Sequence, residues 1–239
     1  MDARTIRPQD ASLEPPLESY GPAKRLAAEA LGTALLLAVV VGSGVMGERL
    51  AAGNTAIALL ANALATGAAL AVLISILGPI SGAHFNPVVT AIFAARRELS
   101  WRLAAGYVTV QFAAAILGVW TAHLMFAEPL LQISAKARDG LGQGLAEAVA
   151  TFGLAGTILG SLRFRPEATP LLVGLYITSA YWFTASTSFA NPAVTIARCL
   201  TDSFAGIAPH SAPLFIAGQI VGGAGGLMAF GWLIRSRSA

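Results

Sequence analysis

The chain has 239 residues, 56% of them hydrophobic and only 11% charged, against about 45–50% and about 25% in ordinary globular proteins; a soluble domain fits poorly. Its 15 Lys and Arg against 12 Asp and Glu leave a net charge of +3, too small and too scattered for the clustered basic face of a nucleic-acid binder. A single cysteine, Cys199, excludes an intramolecular disulfide framework and any multi-cysteine metal site, and three scattered histidines make no metal site either, so no metal or cofactor is expected.

Residues 1–23 read as a cytoplasmic tail and residues 24–239 as a single membrane domain. Lys24-Arg25 before an apolar run mimics a secretory leader, but the preceding segment is long and proline-containing and the run is longer than a leader's apolar core. A membrane-crossing helix needs about 20 apolar residues. Uncharged stretches cover residues 50–95, 103–127, 168–197 and 203–234, and two more apolar segments carry one carboxylate each, Glu29 and Glu147. In chain order the predicted spans are 24–46, 54–77, 101–126, 141–162, 169–184 and 212–234. The second is expected to break at Gly78-Pro79 and Ser81-Gly82. Short apolar pieces then follow at Asn86-Pro87-Val88 and Asn191-Pro192-Ala193. Each opens on an Asn as N-cap with Pro at the first helical position, and each reads as a re-entrant half-helix.

Basic residues set the orientation. Arg4, Arg7, Lys24, Arg25, Arg96, Arg97, Arg102, Arg163, Arg165, Arg235 and Arg237 fall on one side, and Arg49, Lys136, Arg138 and Arg198 on the other. Both termini are therefore expected in the cytoplasm, with the protein in the inner (plasma) membrane.

The two halves, about 24–126 and 141–234, repeat. Glu29 and Glu147 open corresponding spans, Asn86 and Asn191 lie 105 residues apart, and Gln111 and Gln219 lie 108 apart. Three spans per half inverts the second half relative to the first, an arrangement that places a site at the membrane midplane. The expected fold is an all-α membrane protein with six transmembrane helices and two re-entrant half-helices in an inverted repeat. Two half-helix N-termini meeting there make a positive zone that repels cations. Asn86 and Asn191 are expected to cap these helices through their oxygens and point amide N–H groups into the lumen. Glu29 and Glu147, ionisable at membrane depth, are expected to hold the loops by accepting their N–H groups.

On these residues, with His84-Phe85-Asn86-Pro87-Val88 in the first box, the sequence resembles the aquaporin, or major intrinsic protein, family from residue 24 to residue 234. The resemblance implies a passive channel, one pore per subunit, in a homotetramer embedded in the lipid bilayer. The first box departs from the family pattern in carrying Val88 where Ala is usual, which is expected to alter the pore centre. By family spacing the narrow outer constriction falls on Thr66, Ser179, Ser188 and Val194. Val194 stands where nearly all members carry arginine. This set implies a wide, neutral opening for small neutral solutes: glycerol, urea, boric or arsenous acid. Thr66 with Val194 resembles the branch encoded in arsenic-resistance operons, which implies trivalent arsenic and methylated arsenicals as cargo. A water-selective pore and a coupled secondary transporter are the alternatives; coupling would need a titratable midplane pair, and Asn86 and Asn191 do not titrate. A non-conducting scaffold ranks last, and no nucleophile–base set or phosphate loop suggests an enzyme.

Other residues have plainer expectations. Arg198 either charges the outer vestibule or pairs at the surface with Asp202, the second being favoured. His84 either lines the pore mouth or packs in its loop. His123 is read as an interhelical contact, His210 as solvated and Cys199 as a buried thiol. Gly218, Gly222 and Gly226 read as a packing face, and Trp101, Trp120, Trp182 and Trp232 as interfacial anchors.

Overall fold

In a computed structural model the residues described are 20–235; the expectations for Arg4, Arg7, Arg237 and most of the tail lie outside them. The chain forms α1 (Pro22–Leu50), α2 (Thr55–Ser81), α3 (Pro87–Ala95), α4 (Trp101–Phe126), α5 (Leu141–Phe164), a 3₁₀ turn (Pro166–Ala168), α6 (Thr169–Phe183), α7 (Pro192–Arg198) and α8 (Ala212–Leu233). Among the described residues there is no strand. Helices α1, α2, α4, α5 and α8 are each long and apolar enough to cross a bilayer. Helix α6 has 15 residues, about 22 Å of rise, and the 3₁₀ turn extends it. The all-helical fold with two half-helices, α3 and α7, is the one the sequence predicts.

Local chemistry sets the boundaries. Pro22, Pro87 and Pro192 open their helices at a position whose N–H would be unpaired anyway. Asn54 caps α2 by accepting from the N–H groups of Ala56 (3.1 Å) and Ile57 (3.3 Å), and Ser100 caps α4 by accepting from Leu103 (3.3 Å). One expectation fails: α2 does not break at Gly78-Pro79. It runs through Pro79 to Ser81 and closes on Gly82, at φ +90° with its N–H on the Gly78 carbonyl. Proline this close to a helix end forfeits one bond of the last turn, and the left-handed glycine supplies the actual stop.

The main packing pairs are α1 with α4 and α5 with α8, one in each half, and α2 with α6 across the halves. All three crossings rest on glycine. A Cβ at Gly118 would run into the Ala34 carbonyl, and one at Gly222 into the Ala148 carbonyl. Gly218 and Gly226 likewise lie against α5 backbone, so Gly218, Gly222 and Gly226 form the expected packing face. Gly67 and Gly174, 107 residues apart, face one another, each Cβ position blocked by the other's carbonyl. The inverted halves therefore touch through bare backbone at the centre of the α2–α6 crossing. Trp101, Trp182 and Trp232 stand on the outer surface, and Trp120 is half-buried.

Gly174→Val is expected to force this crossing apart at a cost of at least about 2 kcal/mol. Thermal unfolding in detergent should show a clear loss against the exposed control Ala224→Val; equal transitions would mean that α2 and α6 tolerate a wider separation.

Candidate functional site

The site is built by two matched loops. In the first, Ala83 (φ 48°) and Phe85 (φ 48°) are left-handed without being glycine; in the second, Ser188 (φ 51°) and Ala190 (φ 49°) are. These pairs are related by the same 105-residue offset as the asparagines. Non-glycine residues in this region cost on the order of 1–3 kcal/mol each and persist only where the surroundings over-determine them. Two buried carboxylates do so. Glu29 accepts the N–H groups of His84 (2.9 Å) and Phe85 (2.7 Å), the Ser81 hydroxyl (2.8 Å) and the Gln111 amide (2.9 Å). Glu147 accepts the N–H groups of Phe189 (2.8 Å) and Ala190 (2.7 Å) and the Gln219 amide (2.6 Å). Each Gln also donates to a half-helix threonine, Gln111 to Thr90 (3.0 Å) and Gln219 to Thr195 (2.8 Å). All four of Glu29, Glu147, Gln111 and Gln219 are wholly buried.

The asparagines work in two directions. Asn86 Oδ1 caps α3 by accepting from Val88 N–H (2.9 Å), and Asn191 Oδ1 caps α7 by accepting from Ala193 (3.0 Å) and Val194 (3.3 Å). Each Nδ2 then reaches across: Asn86 donates to the Ala190 carbonyl (2.7 Å), and Asn191 to the Phe85 carbonyl (2.8 Å). The expectation that both amides simply point into the lumen is thus refined. A carboxamide has two N–H donors, and one of each pair clasps the opposite loop.

Both asparagines line a cavity of about 760 Å³. At the face carrying both ends of the described chain it is bordered by Arg25, Glu98, Leu99 and Glu167, and it runs past His84, Asn86 and Asn191 to Thr66, Tyr181, Ser188, Val194 and Arg198. The wall is mostly apolar. The Ser188 hydroxyl is buried without a protein partner, and the Thr66 and Tyr181 hydroxyls lie 3.3 Å apart.

The sequence-predicted residues divide. Thr66, Ser188 and Val194 come together at one end of the cavity. Ser179 does not: it is exposed, donates to the Tyr176 carbonyl (2.7 Å) and faces an outer crevice between α5 and α6. The side chain α6 turns inward there is Tyr181, two residues on and about 200° round the helix. Val88 also leaves the lumen. It packs with Ile92, Ala155 and Leu159, in space left by Gly223, whose Cβ would strike a Val88 methyl. Its extra methyls therefore do not narrow the pore centre. Pro87, Pro192 and Ala193 shape the two helix starts without bordering the cavity. His84 both lines the cavity and packs in its loop, with Nδ1 3.2 Å from Thr90 Oγ1 and its ring stacked 4.5 Å from Phe93.

Arg198 contradicts the favoured surface reading. It is 2% exposed, its Nε donates to the Ala205 carbonyl, and its guanidinium lies 3.4 Å over the Phe189 ring. Asp202 is engaged elsewhere, accepting from Ala135 N–H (3.0 Å). Sequence spacing treated residues 198 and 202 as one helix face, but α7 ends at Arg198. Arg138 also lies over Phe189, 5.1 Å from the ring centre and hydrogen-bonded to the Gly206 carbonyl (2.9 Å). In the same loop the Lys136 ammonium is lowered to about 8, by desolvation first and then by Arg138 and Arg198. His123 is not the expected interhelical contact: it ties α4 to two loops, through the Leu130 carbonyl and the Thr201 hydroxyl. His210 is exposed beside Asp139 (3.2 Å) and Cys199 is buried, both as expected. Among the described residues no cluster of His, Cys, Asp and Glu could hold a metal ion.

Comparison with known proteins gives a consistent set of matches. The profile of the family described as Major intrinsic protein matches residues 17–188. The chain is 53% identical over 219 residues to Aquaglyceroporin AqpS of Rhizobium meliloti (strain 1021), covering 92% of this chain and 94% of that one. It is 32% identical over 246 residues to Probable aquaporin AqpM of Archaeoglobus fulgidus, covering 89% and 98%. An X-ray structure of the aquaglyceroporin from Plasmodium falciparum superposes with a TM-score of 0.69 over 90% of this chain and 96% of that chain. At 18% identity it bears on the fold alone.

Glu147→Gln is expected to leave one of the two loop N–H groups facing an amide NH₂, at a cost of roughly 1–3 kcal/mol, and Glu29→Gln to do the same in the first half. Thermal unfolding of the purified variants should report lowered transitions for both; unchanged transitions would show that the left-handed loops stand without the carboxylates.

Proposed function

The chain belongs to the major intrinsic protein family, and from that membership together with its cavity we propose that it is a passive membrane channel for small uncharged solutes. It is a multi-pass integral membrane protein. The observation that carries the solute reading is a ring of residues lining the cavity, the hydroxyl-bearing Thr66, Tyr181 and Ser188 with the apolar Val194. A solute bearing several hydroxyls and no charge can exchange bonds along that ring while its carbon or metalloid face slides on Val194. Glycerol has this chemistry, and so do the uncharged hydroxides of boron and trivalent arsenic; urea, with amide donors and a carbonyl acceptor, can make similar exchanges. The 53% identity to a protein named an aquaglyceroporin supports glycerol permeation, and arsenite is the metalloid cargo we assign. Conduction requires weak binding, so no high-affinity arsenic ligand is involved.

At the midplane Asn86 and Asn191 present their remaining amide N–H groups and the positive ends of α3 and α7. A passing water or hydroxyl accepts these bonds and is reoriented, which interrupts a proton wire. Glu29, Glu147, Gln111 and Gln219 serve as supports. We assign a plasma-membrane location with both termini cytoplasmic, the orientation being supported by the excess of Lys and Arg on the face where α1 begins and α8 ends, and a homotetramer is the assembly we assign.

Purified protein in vesicles, subjected to a glycerol gradient in stopped-flow light scattering, should shrink and then re-swell well above empty vesicles. Shrinkage without re-swelling would favour the water-selective reading. Val194→Arg fills the apolar wall with a cation and is expected to lower glycerol flux about tenfold or more while water flux persists. Unaltered glycerol flux would remove Val194 from the constriction.

A further inference from the structure

We propose that Arg198 is the cationic selectivity residue of this pore, supplied one helical turn beyond Val194. This deepens the channel reading above and rests on it. The 105-residue offset that relates the loops also relates His84 to Phe189 and Phe93 to Arg198. At one end of the cavity His84 stacks on Phe93; at the other, Phe189 carries the Arg198 guanidinium on its face. All four side chains border the cavity. The repeat thus builds the same stacked pair twice, and the second copy exchanges an aromatic ring for a fixed positive charge.

That charge is neither neutralised nor fully bonded. Among the described residues no carboxylate forms an ion pair with Arg198. Nε is held by the Ala205 carbonyl and the guanidinium plane by Phe189, while Nη1 is buried with no protein acceptor. An unmet donor on a buried charged group is costly. Nη1 itself is sealed from the cavity, so Arg198 acts on the lumen through its charge, where its side chain borders the cavity. Arg138 does not compete for this role: it does not border the cavity, and its Nε and Nη1 donate to the Gly206 and Ser186 carbonyls. With the guanidinium set one helical turn back from Val194, the opening keeps a cation barrier without being filled by the side chain. This accounts for how a constriction lined by hydroxyls and valine can be wide for neutral solutes and still closed to cations.

The test uses the full chain in vesicles, reading glycerol re-swelling together with sodium and proton leak from entrapped indicator dyes. Arg198→Gln is expected to raise cation leak relative to glycerol flux about tenfold or more, while Arg198→Lys, which retains the charge, stays closed to cations. Glycerol flux with a cation leak equal to that of the parent in Arg198→Gln would overturn the proposal. Absent glycerol re-swelling in the unmodified protein would instead overturn the channel reading. Should both variants fail to fold, a high-resolution experimental structure of the unmodified protein decides. A cavity free of any carboxylate within about 4 Å of the guanidinium is expected there, and a carboxylate paired with Arg198 refutes the assignment.

Discussion

Two buried carboxylates each turn a loop inside the membrane. Left-handed backbone at Ala83, Phe85, Ser188 and Ala190 is unfavourable for residues with a Cβ, and no neighbouring secondary structure would impose it. Glu29 and Glu147 make it the best available arrangement, because each gathers two successive loop N–H groups that would otherwise lie unpaired away from water. Once those groups point at the carboxylate, the intervening carbonyls must point the other way. The Phe85 and Ala190 carbonyls then become acceptors for the asparagine of the opposite half. The carboxylates, the loops and the Asn86–Asn191 clasp are consequently one unit, and the cavity wall follows from it.

The inverted repeat supplies the frame, and its departures supply the chemistry. Matched parts do matched work in the glutamates, glutamines, threonines and asparagines. Where the halves differ, the difference tracks position along the cavity. Val88 and Ala193 are equivalent by sequence offset; the larger one is accommodated outside the lumen by Gly223, so the midplane stays balanced. His84 with Phe93 and Phe189 with Arg198 are equivalent pairs at opposite mouths. Only the second carries a permanent charge, and only there do Thr66, Tyr181 and Ser188 gather their hydroxyls. A symmetric scaffold therefore carries unlike side chains at its two mouths.

Small residues let this frame close. The mutual contact of Gly67 and Gly174 brings α2 and α6 together at backbone distance, which sets how far apart Thr66 and Tyr181 can stand. Gly118 and Gly222 do the same within each half. Between lipid-facing helices, where apolar burial gives little driving force, such close approach is what holds a bundle together.

The chain on its own determined the membrane class, the half-helices and the supporting acids, because these rest on signals that survive without geometry: uncharged length, an Asn-Pro start, and carboxylates repeated where charge is expensive. The inverted halves were legible for the same reason, since a repeat is a comparison of the chain with itself. What only the tertiary structure decided was direction. Ser179 and Tyr181 are two residues apart, but the helix turns them to opposite sides, and the turn at residues 184–190 hides that phase from counting backwards. Arg198 and Asp202 have helical spacing, yet α7 stops at Arg198, and the chain then carries the carboxylate away and leaves the guanidinium on Phe189. Val88 sits in the motif but faces α8, and α2 passes through a proline that reads as a stop. In each case the residue type was plain from the sequence; the neighbour it meets was fixed by packing among segments far apart in the chain.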